Sequence, residues 1–105
     1  MNIHILEPLN HFVKLQGDEW ESGWWSLEED KAKGLVGGEI YFHKKLQEPS
    51  YFGGVITGYR VEQDGQHRGD VVFTLQYQSE CRNVRTGKYG WSKKIKIISE
   101  GEISS

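Results

Sequence analysis

GGEIYFHKKLQEPSYFGGVITGYRVE, residues 37–62, is the stretch on which the fold turns. After Gly37 and Gly38, Ile40 and Phe42 fall on one side of an extended chain and Tyr41 and His43 on the other, the two-residue period of a strand. The chain loops through residues 46–50 around Pro49 and resumes as YFGGVITGYRVE, where Val55, Thr57 and Tyr59 oppose Ile56, Gly58 and Arg60. Glycines inside this second strand predict a bulge or a bend of the kind that curls a sheet.

Downstream, QDGQHRGD (63–70) is rich in turn formers, and DVVFTLQYQ (70–78) is the strongest strand pattern in the chain. Val71, Phe73, Leu75 and Tyr77 share one face of it. RNVRTGKYG (82–90) reads as a loop, SKKIKIIS (92–99) as a last strand, and the tail 101–105 as fraying.

Upstream, Ile3, Ile5 and Leu6 form a lead-in that Pro8 interrupts, and the alternating run 11–15 is the first expected strand. GDEWESGWW (17–25), acidic and broken by glycine, reads as a loop. In SLEEDKAKG (26–34), Ser26 and Glu29 fit a capping box, the acids suit a helix start and Gly34 its end. That helix has about two turns, so it depends on docking Leu27, Ala32 and Leu35 against a sheet.

The expected fold is therefore α+β, one domain over 1–105: a small, curled, mainly antiparallel barrel of about five strands with one short helix. Only the link across the helix easily makes a parallel pair. The composition agrees, with four tryptophans, five tyrosines, four phenylalanines and 13 glycines in 105 residues. A lone cysteine, Cys81, has no internal disulfide partner, and there is no apolar start of signal-peptide length; both point to the cytoplasm. Four histidines and Cys81 lie scattered without zinc-ligand spacing, so neither metal nor cofactor is expected.

A net charge of −2 conceals a division. Acids outnumber bases by five in residues 1–39, and bases outnumber acids by five in residues 40–99. Residues 82–96 hold Arg82, Arg85, Lys88, Lys93, Lys94 and Lys96 with no acid, a local patch suited to a polyanion.

Several residues follow as candidates for contact with nucleic acid. Trp24 and Trp25 are adjacent, so an extended backbone sends only one of them inward and leaves the other to stack on a base or to pack at the rim. His43, Lys44 and Lys45 could hold a phosphate or be a solvated strand end. Tyr51 suits a stacking platform and Phe52 an apolar anchor. Arg82, Arg85 and Lys88, on a loop, are better placed for phosphate than Lys94 and Lys96, which alternate on a strand and could simply guard its edge. Trp91 interleaves with this basic run.

The early tryptophan loop, the short helix with its glycine step, GGEIYFH, the proline loop and GGVITGYRV together resemble the PUA-like superfamily, particularly its EVE and ASCH-type members. The likeness covers roughly residues 20–62 in pattern and the remainder only in strand order. It implies a mixed-strand pseudo-barrel that binds RNA, or a flipped modified base in DNA, in an aromatic cleft. This chain is shorter than a typical EVE domain, and Glu39 stands where the family's usual acid is Asp.

The leading expectation is a non-enzymatic module that binds RNA or DNA. A second is a protein-interaction module, an inhibitor or accessory factor of a bacterial or mobile-element system, since arginine, tyrosine and tryptophan also dominate protein interfaces. The third is an enzyme acting on nucleotides or nucleic acid. No catalytic residue is nominated for it, because no nucleophile motif, phosphate-cradling loop or metal-ligand spacing occurs; Arg82 could lower the pKa of Cys81, but Glu80 would oppose it.

Overall fold

The computed structural model describes residues 1–99, so the tail expected to fray lies outside the described residues. The strands are β1 (Asn2–Leu6), β2 (Phe12–Lys14), β3 (Glu19–Trp25), β4 (Glu39–His43), β5 (Phe52–Val61), β6 (Val71–Tyr77) and β7 (Ile95–Ile98). One helix, α1 (Glu29–Leu35), precedes β4, and a single 3-10 turn (Ser79–Cys81) follows β6. No helix among the described residues is long and apolar enough to cross a membrane.

All seven strands join one mixed sheet in the order β2-β3-β6-β5-β4-β1-β7. Neighbours are antiparallel except β1 and β4, which run parallel with Ile3 beside Ile40 and Ile5 beside Phe42. Their connection runs through β2, β3 and α1, so the parallel pair spans more than the helix link from which one was expected, and the expected first strand, β2, does not pair with β4. Among the described residues the sheet is not closed, with β2 and β7 at its two edges. It is nonetheless curled: Phe12 on β2 meets Phe42 on β4 edge-on at 4.7 Å, although three strands lie between them in the hydrogen-bonded order.

Two strands exceed the five expected. β1 was read as a lead-in, yet Ile3 and Ile5 alternate with His4 and sit fully buried. β3 was read as a loop, yet its paired register puts Trp20 beside Leu75 and Ser22 beside Phe73, with Glu19 and Glu21 on the opposite face. A register shift between Ser22 and Trp25 accommodates the irregular end of β3.

The inner face of the curl holds Ile3, Ile5, Trp25, Ala32, Leu35, Ile40, Phe42, Ile56, Val71, Phe73 and Leu75. α1 contributes Ala32 and Leu35, with Leu27 packed alongside, so the docking that a two-turn helix needs is present. The capping box does not form. Glu28, not Ser26, occupies the N-cap and makes no side-chain cap bond, while Glu29 and Asp30 face the positive helix end. The helix runs past Gly34, and the chain turns instead at Gly37, whose φ of +92° suits glycine.

The bulge anticipated in β5 lies between Ile56 and Gly58. Gly53 and Gly54 have a different reason to lack side chains. A methyl on Gly54 would lie 2.0 Å from the Gln76 carbonyl oxygen, and one on Gly53 would lie 2.2 Å from that of Ile40 and 2.9 Å from Cys81 Cβ. The close approach they permit is to neighbouring strands and to the turn that carries Cys81.

Candidate nucleic-acid interface

At one end of the curl the inner-face aromatics climb from the core to the surface. Phe42 is fully buried, Phe12 packs on it, and Phe52 lies 4.7 Å from Phe12. Tyr77 stacks on Phe52 at 5.2 Å and 21°, and Trp20 meets Phe52 edge-on at 5.4 Å. Trp20, Phe52, Tyr77 and neighbouring Tyr51 are each half-buried, with part of every ring open to solvent. With Asp18 and Arg82 they line a hollow of about 410 Å³. Tyr51 and Arg82 also line an adjoining hollow of about 570 Å³ that reaches Glu48, Pro49 and Asn83.

Cations stand over this strip. Lys44 Nζ lies 5.1 Å from the Tyr51 ring centroid and Lys14 Nζ 5.6 Å from that of Trp20, both within cation–π range. Tyr51 is held rigidly, since its hydroxyl donates to the Glu7 carbonyl and its amide to the Phe42 carbonyl. Burial, with Glu7 nearby, raises its pKa, so the hydroxyl stays protonated and remains a donor.

The sequence candidates do not gather at one place. Tyr51, Lys44 and Arg82 come together at this mouth. Lys45, Arg85 and Lys88 are exposed, Lys88 lying over Tyr89 at 5.4 Å.

Trp24 and Trp25 part as adjacency required, Trp25 entering the core with its indole N–H donated to Ser22 Oγ at 3.0 Å. Trp24 remains 47% exposed, near the opposite end of β3 from Trp20. It stacks face to face on His67 at 4.1 Å and 3°, and its N–H donates to Glu62. Arg60 bridges Glu62 and Glu21 there, so the carboxylates outnumber the guanidinium and disfavour phosphate. Trp24, His43 and Tyr51 therefore share no cleft.

His43 lies inside the molecule, on the outer face of the sheet beneath segment 82–94. Its Nδ1 lies 2.8 Å from the Glu48 carbonyl and its Nε2 lies 2.8 Å from His4 Nδ1. A carbonyl only accepts, so His43 carries its proton on Nδ1, and His4 must then donate from its own Nδ1 to the bare Nε2 of His43. Desolvation by burial leads in keeping both rings neutral, and it lowers the His4 pKa to about 3. Tyr41 stacks on His4 at 4.6 Å, and Trp91 stands edge-on to His4 and His43 at 6.4 and 5.8 Å. The Trp91 indole N–H is buried without a hydrogen-bond partner.

Lys96, opposite His4 in the β1–β7 register, donates to the Gly87 carbonyl at 3.0 Å. Glu39 accepts from Tyr41 Oη at 2.9 Å and from Cys81 Sγ at 3.3 Å. Burial first, and that bond second, push the Cys81 thiol up to about 12. The thiol is thus held protonated, the opposite of activation by Arg82. Among the described residues, no three histidine, cysteine or acidic side chains gather in a way that could hold a metal ion.

Sequence reasoning did not assign Trp20, Tyr77 or Lys14 to the mouth. A signal existed in the end positions of β5 and β6, since Phe52 and Tyr77 flank Gly54, but only the pairing of the two strands makes it readable. Comparison of the chain with protein-family models, with curated proteins and with solved structures finds no match.

Proposed function

We propose that this chain is a non-enzymatic nucleic-acid-binding module that takes unpaired nucleotides, of RNA or of base-modified DNA, at the aromatic mouth. One observation carries the reading: four half-buried aromatic rings at the open end of the curl, with Lys14, Lys44 and Arg82 standing around them. Stacking needs exposed base faces, which a duplex hides, and the cations supply phosphate contact at the rim. The curl of the sheet is what a PUA-like pseudo-barrel would require, and Phe12 against Phe42 supports that reading of an open sheet.

The test is calorimetric titration with ten-nucleotide single strands and with the matching duplex at two salt concentrations. Single strands bind preferentially, with a log–log salt slope of about −2 for three neutralised phosphates. Tyr51→Ala costs about 1–3 kcal/mol of binding if one base stacks there. An equal preference for duplex, or unchanged affinity in Tyr51→Ala combined with Arg82→Ala, removes the mouth as the contact surface.

A protein partner is the second reading, and a separate region favours it. Leu9, Val13 and Leu15 are 66%, 58% and 44% exposed around the free edge of β2, on a face that also carries Trp24. A single protein captured after nuclease treatment, and lost in Val13→Asp, would support this reading over the first.

A further inference from the structure

The curl of the sheet leaves a seam. One wall is the end of β3 and the chain leading into α1, with Trp25 and Leu27, and the other is the edge strand β7, with Ile95 and Ile97. β7 ends the sheet on one side and β3 is last but one on the other, so these walls meet only because the sheet bends round without closing. Between them lies a hollow of about 650 Å³, larger than either hollow at the aromatic mouth and sharing no lining residue with them. Leu27, Ile95 and Ile97 pack against the core yet are only half-buried, so the hollow has an apolar floor.

The seam is not shaped for another strand. Leu6 N donates to the Lys94 carbonyl, so by the alternation of an antiparallel ladder Lys94, Lys96 and Ile98 turn their backbone groups to β1, and Ile95 and Ile97 turn theirs to the open edge. Those of Ile95 are already taken, since its N–H donates to the Ser92 carbonyl at 3.0 Å and its carbonyl accepts the Ser92 amide at 2.8 Å. Within β7 that leaves Ile97 to face the seam, too little for a ladder. What the seam offers is apolar side-chain surface. Trp25 is buried and Trp24 is already stacked on His67, so that surface is chiefly aliphatic and suits a hydrocarbon chain better than a planar ring.

Charge stands at its Ile95 end. Lys93 and Lys94 form the two-residue turn between Ser92 and Ile95, and both line the hollow. The first central residue of such a tight hairpin turn has positive φ and is ordinarily glycine, asparagine or aspartate, yet here Lys93 holds φ at +58°. No acidic residue lines the hollow, and among the described residues neither lysine is in an ion pair. Glu29, close to the Leu27 wall in sequence, accepts from the Tyr59 hydroxyl at 2.7 Å. An apolar trough with two cations at one end and no anion is complementary to an apolar body that carries one anionic head.

We propose that the seam binds a medium-chain fatty carboxylate, its hydrocarbon chain lying along Leu27, Ile95 and Ile97 and its carboxylate at Lys93 and Lys94. Burial of the chain supplies the attraction, and the lysines fix its direction and select its charge. The site is separate from the aromatic mouth and does not rest on the proposed function.

NMR titration of the full chain with sodium octanoate tests this, with 1-octanol and octyltrimethylammonium as neutral and cationic counterparts. Octanoate shifts the amides of Leu27 and of residues 92–97 with half-saturation at or below about 1 mM, while those of Trp20, Phe52 and Tyr77 at the mouth stay in place. Octanol binds about three- to tenfold more weakly, and the cation more weakly still. This comparison uses the wild type alone, so it holds even if a variant does not fold. Lys93→Gln combined with Lys94→Gln, both at exposed positions, lowers octanoate affinity about three- to tenfold and leaves that of octanol unchanged. Octanoate that binds no better than octanol, unaltered affinity in the double variant, shifts centred on the mouth, or no saturable shift below about 10 mM overturns the proposal. So does movement of the same amides when the protein concentration alone is raised, which would make a second copy of the chain the occupant.

Discussion

The inner and outer faces of β1 and β4 are built from alternate residues of the same two strands, and both are buried, by opposite means. Inward point Ile3, Ile5, Ile40 and Phe42, each wholly removed from water. Outward point His4, Tyr41 and His43, at 8% exposure or less, under a loop that has no regular secondary structure. The inner face gains from the area it removes from water, which is indifferent to pH and tolerant of small displacements. The outer face depends on each proton being in one place. Burial by packing gives a stable fold, and burial by hydrogen bonding gives a fold that responds to its solvent.

The largest test of this contrast is Phe42→Ala, which removes the ring on which Phe12 packs. It should cost about 3–5 kcal/mol in urea unfolding and lower the stability of all strands together. Acid comes next. His4 and His43 have pKa values depressed in the folded state, so their neutral forms contribute stability above about pH 6.5 that is lost as pH falls through the interval toward the folded-state value, about 3 for His4. The slope approaches about 1.4 kcal/mol per pH unit for each histidine held neutral. A stability curve that is flat from pH 6.5 to 4 would erase the energetic difference between the two faces.

Ser50→Ala probes the outer face at its seam. The hydroxyl donates to the Cys81 carbonyl at 2.7 Å and accepts the Val84 amide, so two buried groups lose their partner at a cost of about 1–3 kcal/mol. The local exchange rate of 82–94 should rise more than global unfolding does. Tyr51→Phe is the smallest, about 0.5–1.5 kcal/mol for one hydrogen bond to the Glu7 carbonyl. Because the ring remains, nucleotide stacking should survive it, and a binding loss as large as that of Tyr51→Ala would mean the hydroxyl, not the ring, is the contact.

Much of the inner face was legible in the sequence. The alternation of Ile40 with Phe42 and of Val71, Phe73 and Leu75 marks the core face of β4 and β6, and the glycines of β5 announce its bulge. α1 was legible in position but not in its cap, since a capping box is a local option that the register of the neighbouring chain can override. β1 was hidden because its alternation places a histidine between isoleucines, and a polar residue on a strand reads as solvent-facing until something is known to cover it. That cover comes from residues 82–94, about 80 positions away, and no local pattern announces it. The same cover, here about 40–50 positions away, explains His43, read at a strand end as a phosphate ligand and found wholly enclosed. At the mouth, Tyr51, Lys44 and Arg82 were accessible as candidates, whereas Trp20 and Tyr77 join them only through the β3–β6–β5 pairing.

Trp91 standing edge-on to two imidazoles also has an optical consequence. A protonated imidazole quenches indole emission far more strongly than a neutral one, so the fluorescence of Trp91 should report directly on the charge of the pair beneath it. Trp24, flat against His67 at the surface, forms a second indole–imidazole couple that an aqueous quencher such as iodide can reach. Among the described residues two indoles thus contact imidazoles, Trp24 at 47% exposure and Trp91 half-buried, and collisional quenching acts more strongly on the first than on the second.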